Sequence, residues 1–516
     1  VIRVLAAATV AATMLALLPP AAAIDVPVPG TSARVDVSGY VDGLAVAELG
    51  GPQQRPQAIT ELRFDSKLTR ALRAHLTLRG RVGGPFEDAH AGIMDFVHEF
   101  QDHSPSAELN EAYLELREGD FQLKAGVQKF AWGKLDGLPP TDVLTPRDLH
   151  DPLVRDVEES KIGIPAIQAT YFLPAIERFE LSELRAQLVY VPIAVPTRLA
   201  LADERWFPPT VISRSEVVIG ANAASAALGG IPIDGPAHVP IRFHTQNRRP
   251  PLEFDAGGIA ARIGGTWRAV DWDLYHYSGP ETGPNAELHV LAVCDRGTTL
   301  CTQNGHLRIH APTYLRQAHD TIHMTGADFS TAFGGLTVRG EIAGFVDRPY
   351  LVITNDLTSL DALRPILPQV GGDLARDLAN GRRGRARVPI GELFPDRDSI
   401  EWGLGVDYLI EGFIPLFQVN QIAFVDRGPE QLYSNPETRL LGSVRKRFLQ
   451  DTLEVELRTV YAIERSAWFA YPRVAYRYGD HWRFRLGYLA IGGPKVSYIG
   501  QFHDNDEFTL EARYSF

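Results

Sequence analysis

Past its first two dozen residues, this 516-residue chain lacks any apolar run long enough to cross a bilayer as a helix, which takes about 20 residues. The longest uncharged stretch there, Val217–Ile233, is shorter, and Asn222, Ser225, Gly229, Gly230 and Pro232 break it. A helical membrane protein is thereby excluded. Cysteine is nearly absent: Cys294 and Cys301 are the only two, so no disulfide framework organises the fold. A basic excess is missing too. The formal net charge is −12, which argues against a nucleic-acid partner, since that would require a basic face. No G-x-S-x-G elbow and no G-x-x-x-x-G-K-[ST] phosphate loop occurs, and neither chemistry has its usual signature. The closest approach to a zinc-protease helix is His98, Glu99 and His103. Its spacing is one residue too long to put both histidines on one helical face, so the segment reads as a solvated loop and no metal is expected.

What is present begins at the N-terminus, VIRVLAAATVAATMLALLPPAAA. A basic start at Arg3, a short apolar core and an A-x-A end are the three parts of a cleavable secretory signal. Residues 1–23 are therefore expected to be removed after Ala23, leaving residues 24–516 at a charge of −13, because the signal carries one Arg and no acid.

The remaining chain spans a membrane, if at all, as strands. Its 46 Gly and 36 Pro suit turns, and segments of about ten residues alternate in polarity. Leu72, Ala74, Leu76 and Leu78 alternate with Arg73, His75, Thr77 and Arg79. The chain ends DEFTLEARYSF, with Phe508, Leu510, Ala512, Tyr514 and Phe516 on one face and Thr509, Glu511, Arg513 and Ser515 on the other. A soluble sheet would not usually end in so apolar an edge. A terminal aromatic strand of this kind resembles the signal read by the barrel-assembly machinery through Phe516.

Tight turns fall at Thr69–Arg70, Gly119–Asp120, Gly334–Gly335, Gln450–Asp451 and Gly479–Asp480, and long connections at 83–107, 131–165, 193–256, 280–317 and 349–398. With a first strand near Arg34 running outward, every tight turn is periplasmic and every long loop extracellular. The fold class expected is all-β: a transmembrane antiparallel β-barrel of about 18 strands, with 16 as the alternative. His306–Leu315 is assigned to loop because a strand there breaks the parity. Short helices are expected in the Ala-rich part of 193–256 and near Leu360–Leu378.

One segment carries more. Leu109–Leu173 holds E-A-Y-L on one strand, G-x-Q on the next, then W-G-K-x-D-G and T-D-V-L-x-P-R-D-L. This pattern resembles an uncharacterised family of Gram-negative outer-membrane β-barrels described as porins or exporters of unsettled cargo, and it is more loosely similar to alginate-export barrels. The resemblance implies fold and location. It implies no catalytic residue and no cofactor.

Period two assigns a set of charges to the lumen. The basic members are Arg73, Arg79, Arg81, Arg117, Lys124, Arg339, Arg458, Arg483, Arg485 and Arg513; the acidic ones are Glu111, Glu115, Glu341, Glu454, Glu456 and Glu511. They read equally as a ladder of ion pairs on a wet wall and as a charged permeation path. The connection 131–165 is stiffened by Pro139, Pro140, Pro146 and Pro152. It is expected to fold inward, with Arg147, Asp148 and Arg155 pairing with lumenal charges at a constriction. Cys294 and Cys301 bracket a short loop and are expected to form a local disulfide in an oxidising compartment. Arg382, Arg383, Arg385 and Arg387 suit either a solvated loop or lipopolysaccharide phosphates. Asp504, Asp506 and Glu507 lack the spacing of a calcium loop. The function expected is passage of a solute, polymer or lipid through an outer-membrane barrel, assisted by periplasmic partners. The rival readings are a non-transporting surface barrel, such as an adhesin or scaffold, and an outer-membrane hydrolase with scattered catalytic groups. Single-channel conductance separates the first from the other two.

Overall fold

Alternating side chains give each segment one apolar and one polar face, and an antiparallel sheet that closes on itself satisfies every backbone group without an exposed edge. The computed structural model describes residues 24–27, 34–49, 54–83, 106–200, 205–210, 257–283, 312–351, 395–425 and 432–516, with shorter stretches in 216–246, 285–310 and 368–392. Eighteen strands form the wall. They are β1 (Arg34–Glu48), β2 (Gln54–Lys67), β3 (Leu72–Gly83), β4 (Ser106–Glu118), β5 (Phe121–Gln128), β6 (Ile164–Phe172), β7 (Leu181–Val191), β8 (Gly258–Trp267) and β9 (Val270–Pro280). The second half comprises β10 (Thr321–Phe333), β11 (Leu336–Pro349), β12 (Asp396–Tyr408), β13 (Phe413–Phe424), β14 (Glu437–Phe448), β15 (Leu453–Ala462), β16 (Ala467–Tyr478), β17 (Trp482–Gly492) and β18 (Glu507–Ser515).

Each strand pairs antiparallel with the next, and β18 closes onto β1 from Tyr40↔Ser515 to Glu48↔Glu507. Phe516 extends the seam: it exchanges two 3.0 Å backbone hydrogen bonds with Gly39. Beyond it, Ile24–Pro27 pairs with Arg34–Val37 along the same edge of β1. Among the described residues no helix is long and apolar enough to cross a membrane; the wall crosses as strands.

The barrel is inside-out relative to a water-soluble protein. Ile167, Leu188, Ile263, Leu274, Ile342, Leu404, Leu486 and Leu510 stand exposed on the outer face, while Asp42, Glu61, Gln418 and Thr509 are buried within. Only lipid suits such an outer surface. Replacing Leu274, at the middle of β9 and 53% exposed, tests this. Leu274→Arg is expected to destabilise the folded barrel by about 2–4 kcal/mol, and Leu274→Met by less than about 1.5 kcal/mol. Urea titrations in lipid vesicles measure both; equal stability would place Leu274 away from lipid.

The five tight turns anticipated from sequence join β2–β3, β4–β5, β10–β11, β14–β15 and β16–β17. One connection at the opposite end is also short, Ile463–Ser466 between β15 and β16. His306–Leu315 needs correction. His306–Leu307, Ile309–His310 and Pro312–Ala318 are strands, but none belongs to the wall. The last two join Arg242–Gln246, Asn285–Cys294 and Gly384–Glu392 in a separate five-stranded sheet, so barrel parity survives while the loops carry their own pairing. The helices expected in 193–256 and near Leu360–Leu378 fall mostly outside the described residues.

Candidate functional site

Strand β5 is short because the chain leaves the wall after Gln128 and rejoins it at Ile164. Two glycines permit this. Gly126 has φ +133°, and a Cβ there would lie 2.1 Å from the Ala112 carbonyl oxygen. At Gly163 a Cβ would lie 2.1 Å from the Asn110 carbonyl. A side chain at Gly126 would push β5 off β4, and one at Gly163 would push the end of the connection off it.

The connection 129–163 packs against the inner wall. Phe130, Trp132, Val143, Leu144 and Ile162 form one buried cluster with wall residues that include Ile164, Val189, Tyr277, Ile322, Met324 and Phe345. Trp132 lies against Tyr275 with ring centroids 4.9 Å apart. Apolar burial thus holds the connection, and charge fixes its register. On one side, Lys134 reaches Asp328 at 2.7 Å and Asp273 at 3.2 Å. Asp273 also accepts from Nε and Nη2 of Arg262, each at 2.8 Å. Glu341 on β11 accepts the backbone N–H groups of Lys134 and Leu135, the latter at 2.6 Å, and the Thr141 hydroxyl at 3.1 Å. Asp136 pairs with Arg339 at 2.8 Å, and Arg339 pairs in turn with Asp407 at 2.8 Å.

On the opposite side the wall is arginine-rich. Asp156 meets Arg458 at 2.5 Å, Arg473 at 3.1 Å and Arg485 at 3.5 Å. Glu159 meets Arg513 at 2.6 Å, and Arg513 also holds Asp42 at 2.5 Å. Asp148 pairs with Arg81 and, at 3.3 Å, with Arg198. Arg155 donates to Gln57 at 2.9 Å and lies 3.7 Å from Asp42. Arg147 differs from expectation. It pairs with Asp142 of its own connection at 3.0 Å, where its backbone bridges to Lys161 and Lys161 shares the same carboxylate at 3.2 Å.

Of the second connection, the described stretches 192–200 and 205–210 contact the first connection and the wall. Arg198–Leu199 pairs parallel with Asp148–Leu149. Trp206 donates its indole N–H to Asp151 at 3.2 Å, and Arg205 meets Glu48 at 2.9 Å. A small cavity of about 20 Å³ remains between Tyr40, Arg79, Arg81, Asp151, Arg155 and Ser160.

The other residues assigned to the lumen pair mostly along the wall. Arg79 holds Glu61 at 2.8 Å, Lys124 approaches Glu115 at 3.9 Å, and Arg447 holds Glu454 at 3.0 Å. Glu456 joins Arg458 at 3.1 Å and also pairs with Arg473. Glu511 joins Arg483 at 2.8 Å and Arg485 at 3.2 Å. Arg117 stacks over Phe172 at 5.1 Å, Arg73 is exposed, and Glu111 is half-buried. Sequence reading missed Glu108 and Asn110, both buried. A bulge in β4 against Thr77–Leu78 shifts their parity, and a bulge leaves no mark on a period-two count. It also missed Asp42, Glu61, Asp273 and Asp328, which weaken the basic excess of the expected wall.

His98, Glu99, His103, Cys301, Arg382 and Arg383 lie outside the described residues, as do the side chains of Cys294, Arg385 and Arg387. Among the described residues no group of His, Cys, Asp or Glu is arranged to hold a metal ion. Asp506 instead accepts from Tyr488 at 3.2 Å.

One loop cation is tuned. Lys129 is pushed down to about 7 by burial first and then by Arg79, against the pull of Glu111, Glu61 and Glu108. Because its folded pKa lies below the ordinary 10.5, the unfolded chain binds the proton more tightly, and stability rises with pH between those values. Lys129 therefore adds a positive charge to the interior only below about pH 7. Reversal potentials in a KCl gradient are expected to move toward anions as pH falls from about 8 to 6. Lys129→Met should flatten that step; a step that persists would belong to another group.

Residues 99–413 match a family model described as a protein of unknown function, DUF1302. The chain belongs to that family. No curated protein matches it in sequence. Among solved structures it is similar to the outer membrane protein OpdK of Pseudomonas aeruginosa, at 12% identity over 93% of this chain and 98% of that one, with a TM-score of 0.45. It is similar to OccK8 (OprE) of the same organism, at 10% identity over 94% and 98% with a TM-score of 0.46. OccAB1 of Acinetobacter baumannii gives 9% identity over 94% and 96%, also at 0.46. None of these similarities is to an alginate-export barrel.

Proposed function

We propose that this DUF1302 chain is an outer-membrane channel or transporter for a small or medium polar solute, with the 129–163 connection as its constriction. The observation that carries the reading is the connection itself: it bridges acids on β9–β11 and arginines on β15–β18 across one charged interior. A barrel that served only as a surface scaffold has no need of a polar interior matched so closely to an inserted loop. Export through a signal ending at Ala23, assembly read from Phe516, and contact with lipopolysaccharide and periplasmic partners belong to the same proposal.

The test is reconstitution of the folded barrel in planar bilayers. Discrete, voltage-tolerant conductance steps are expected. Silent insertion, verified by heat-modifiable mobility of the recovered protein, would overturn the channel reading and favour a non-transporting barrel.

A further inference from the structure

The helix α1 (Val157–Ser160) is a single turn, and Asp156 occupies its N-cap. An Asp at that position ordinarily turns its carboxylate back onto the helix N–H groups. Here it makes no capping hydrogen bond. Its two oxygens point instead at three wall arginines from three adjacent strands: Arg458 at 2.5 Å, Arg473 at 3.1 Å and Arg485 at 3.5 Å. Three residues on, Glu159 reaches a fourth strand and meets Arg513 at 2.6 Å. The loop thus presents two carboxylates, one helical turn apart, to a rail of four arginines.

Arginine forks match carboxylates bidentately, and the wall already supplies partial counter-charge. Glu456 lies 3.1 Å from Arg458, and Glu511 lies 3.2 Å from Arg485. Asp156 is therefore a further anion on a rail that has its own acids. Its pairing is open at one end. The Asp156 and Arg458 side chains are each 32% exposed, while Arg473, Arg485 and Arg513 behind them are 4%, 9% and 10% exposed. Burial pushes the Asp156 carboxyl up, but Arg458, Arg485 and Arg473 outweigh it and hold the group below the usual carboxylate range, so it is ionised at neutral pH.

We propose that the Arg458–Arg473–Arg485–Arg513 rail is a binding site for a small organic dicarboxylate, and that Asp156 and Glu159 are its resident occupants, which the solute displaces. Displacement does not strand Asp156 in a dry site, because 32% of its side chain is already exposed. The loop then loses two ties to β15–β18 while Lys134 and Glu341 still hold it on the far side. The binding arm of this inference is independent of conduction; its gating consequence rests on the channel reading above.

An internal competitor lowers apparent affinity by the fraction of time the site is free. Succinate is the probe, titrated calorimetrically into the folded full-length barrel in detergent, with acetate and sulfate for comparison. Asp156→Asn combined with Glu159→Gln is expected to tighten succinate binding by about tenfold or more. Adding Arg473→Gln to that background should abolish the gain. If the double variant does not fold, Asp156→Asn alone serves, with a smaller gain in the same direction. Unchanged succinate affinity in the folded variants, tight binding that survives Arg473→Gln, or equal binding of sulfate would each overturn the site. Succinate binding by a barrel that conducts no ions would uphold the site and sink the channel reading. Conductance without variant-sensitive succinate binding would do the reverse.

Discussion

Replacing residues 132–161 by a tight turn is expected to raise single-channel conductance by roughly threefold or more, since a barrel of this strand number leaves an aqueous channel when its interior is not filled. The excised segment spans the interior from Asp273, Asp328 and Glu341 to Arg458, Arg473 and Arg513. Its loss also uncovers an apolar patch of the inner wall that includes Ile322, Met324 and Phe345. Some loss of stability is therefore expected alongside the gain in conductance. Heat-modifiable mobility separates a folded, open barrel from an unfolded one. A folded variant with wild-type conductance would mean that ions pass elsewhere, and the connection would then be a brace.

A large single-residue effect on stability is expected inside the barrel, at Glu341. Its carboxylate is buried on β11 and takes the N–H groups of Lys134 and Leu135 together with the Thr141 hydroxyl. Glu341→Ala leaves those donors facing a space with no acceptor, at a cost of about 1–3 kcal/mol for a buried polar group left unmade. Because several donors share this acceptor, roughly 3 kcal/mol is expected. Glu454→Ala is the comparison. Its pair with Arg447 is partly exposed, at 22% and 38%, and such pairs contribute less than about 1 kcal/mol. Urea unfolding in vesicles measures both. Equal effects would show that Glu341 is an ordinary wall charge. Conductance noise from the Glu341 variant is a second readout, because a loop untied at one end fluctuates.

The fold was legible because its signals are local and repeated. Leu72–Arg79 and Phe508–Phe516 alternate without a break, and closure leaves no edge for a different strand order. The tight turns at Gly119–Asp120 and Gly334–Gly335 show in the sequence because Gly119 and Gly334 adopt φ +57° and +62°, which glycine takes without strain. The parity error at Glu108 and Asn110 has the opposite origin: a bulge is set by how β3 meets β4, not by either strand alone. His306–Leu315 was misjudged for a related reason. Parity reports whether a segment joins the wall, not whether it finds partners elsewhere.

The candidate site was legible only in part. The prolines of the 129–163 connection and its dense charges marked it as something other than a free loop. Asp148 and Arg155 could be named on those grounds. Asp156, Glu159 and Lys134 carry the same residue types within the same stretch, and nothing in their spacing distinguishes them from Glu158, which is 71% exposed. Arg147 illustrates the limit, since its partner is Asp142, five residues away.

By itself the sequence determined the membrane-spanning architecture, because which side chains face lipid is fixed by period two and needs no knowledge of neighbours. It determined equally that the interior is charged. Which charges meet was decided only by tertiary structure. Asp156 and Arg485, 329 residues apart, come together because barrel closure brings β17 and β18 beside β1 and the inserted connection crosses to reach them. The strength of an ion pair depends on distance and on exclusion of water, and in this chain both are set by how far the loop enters the lumen.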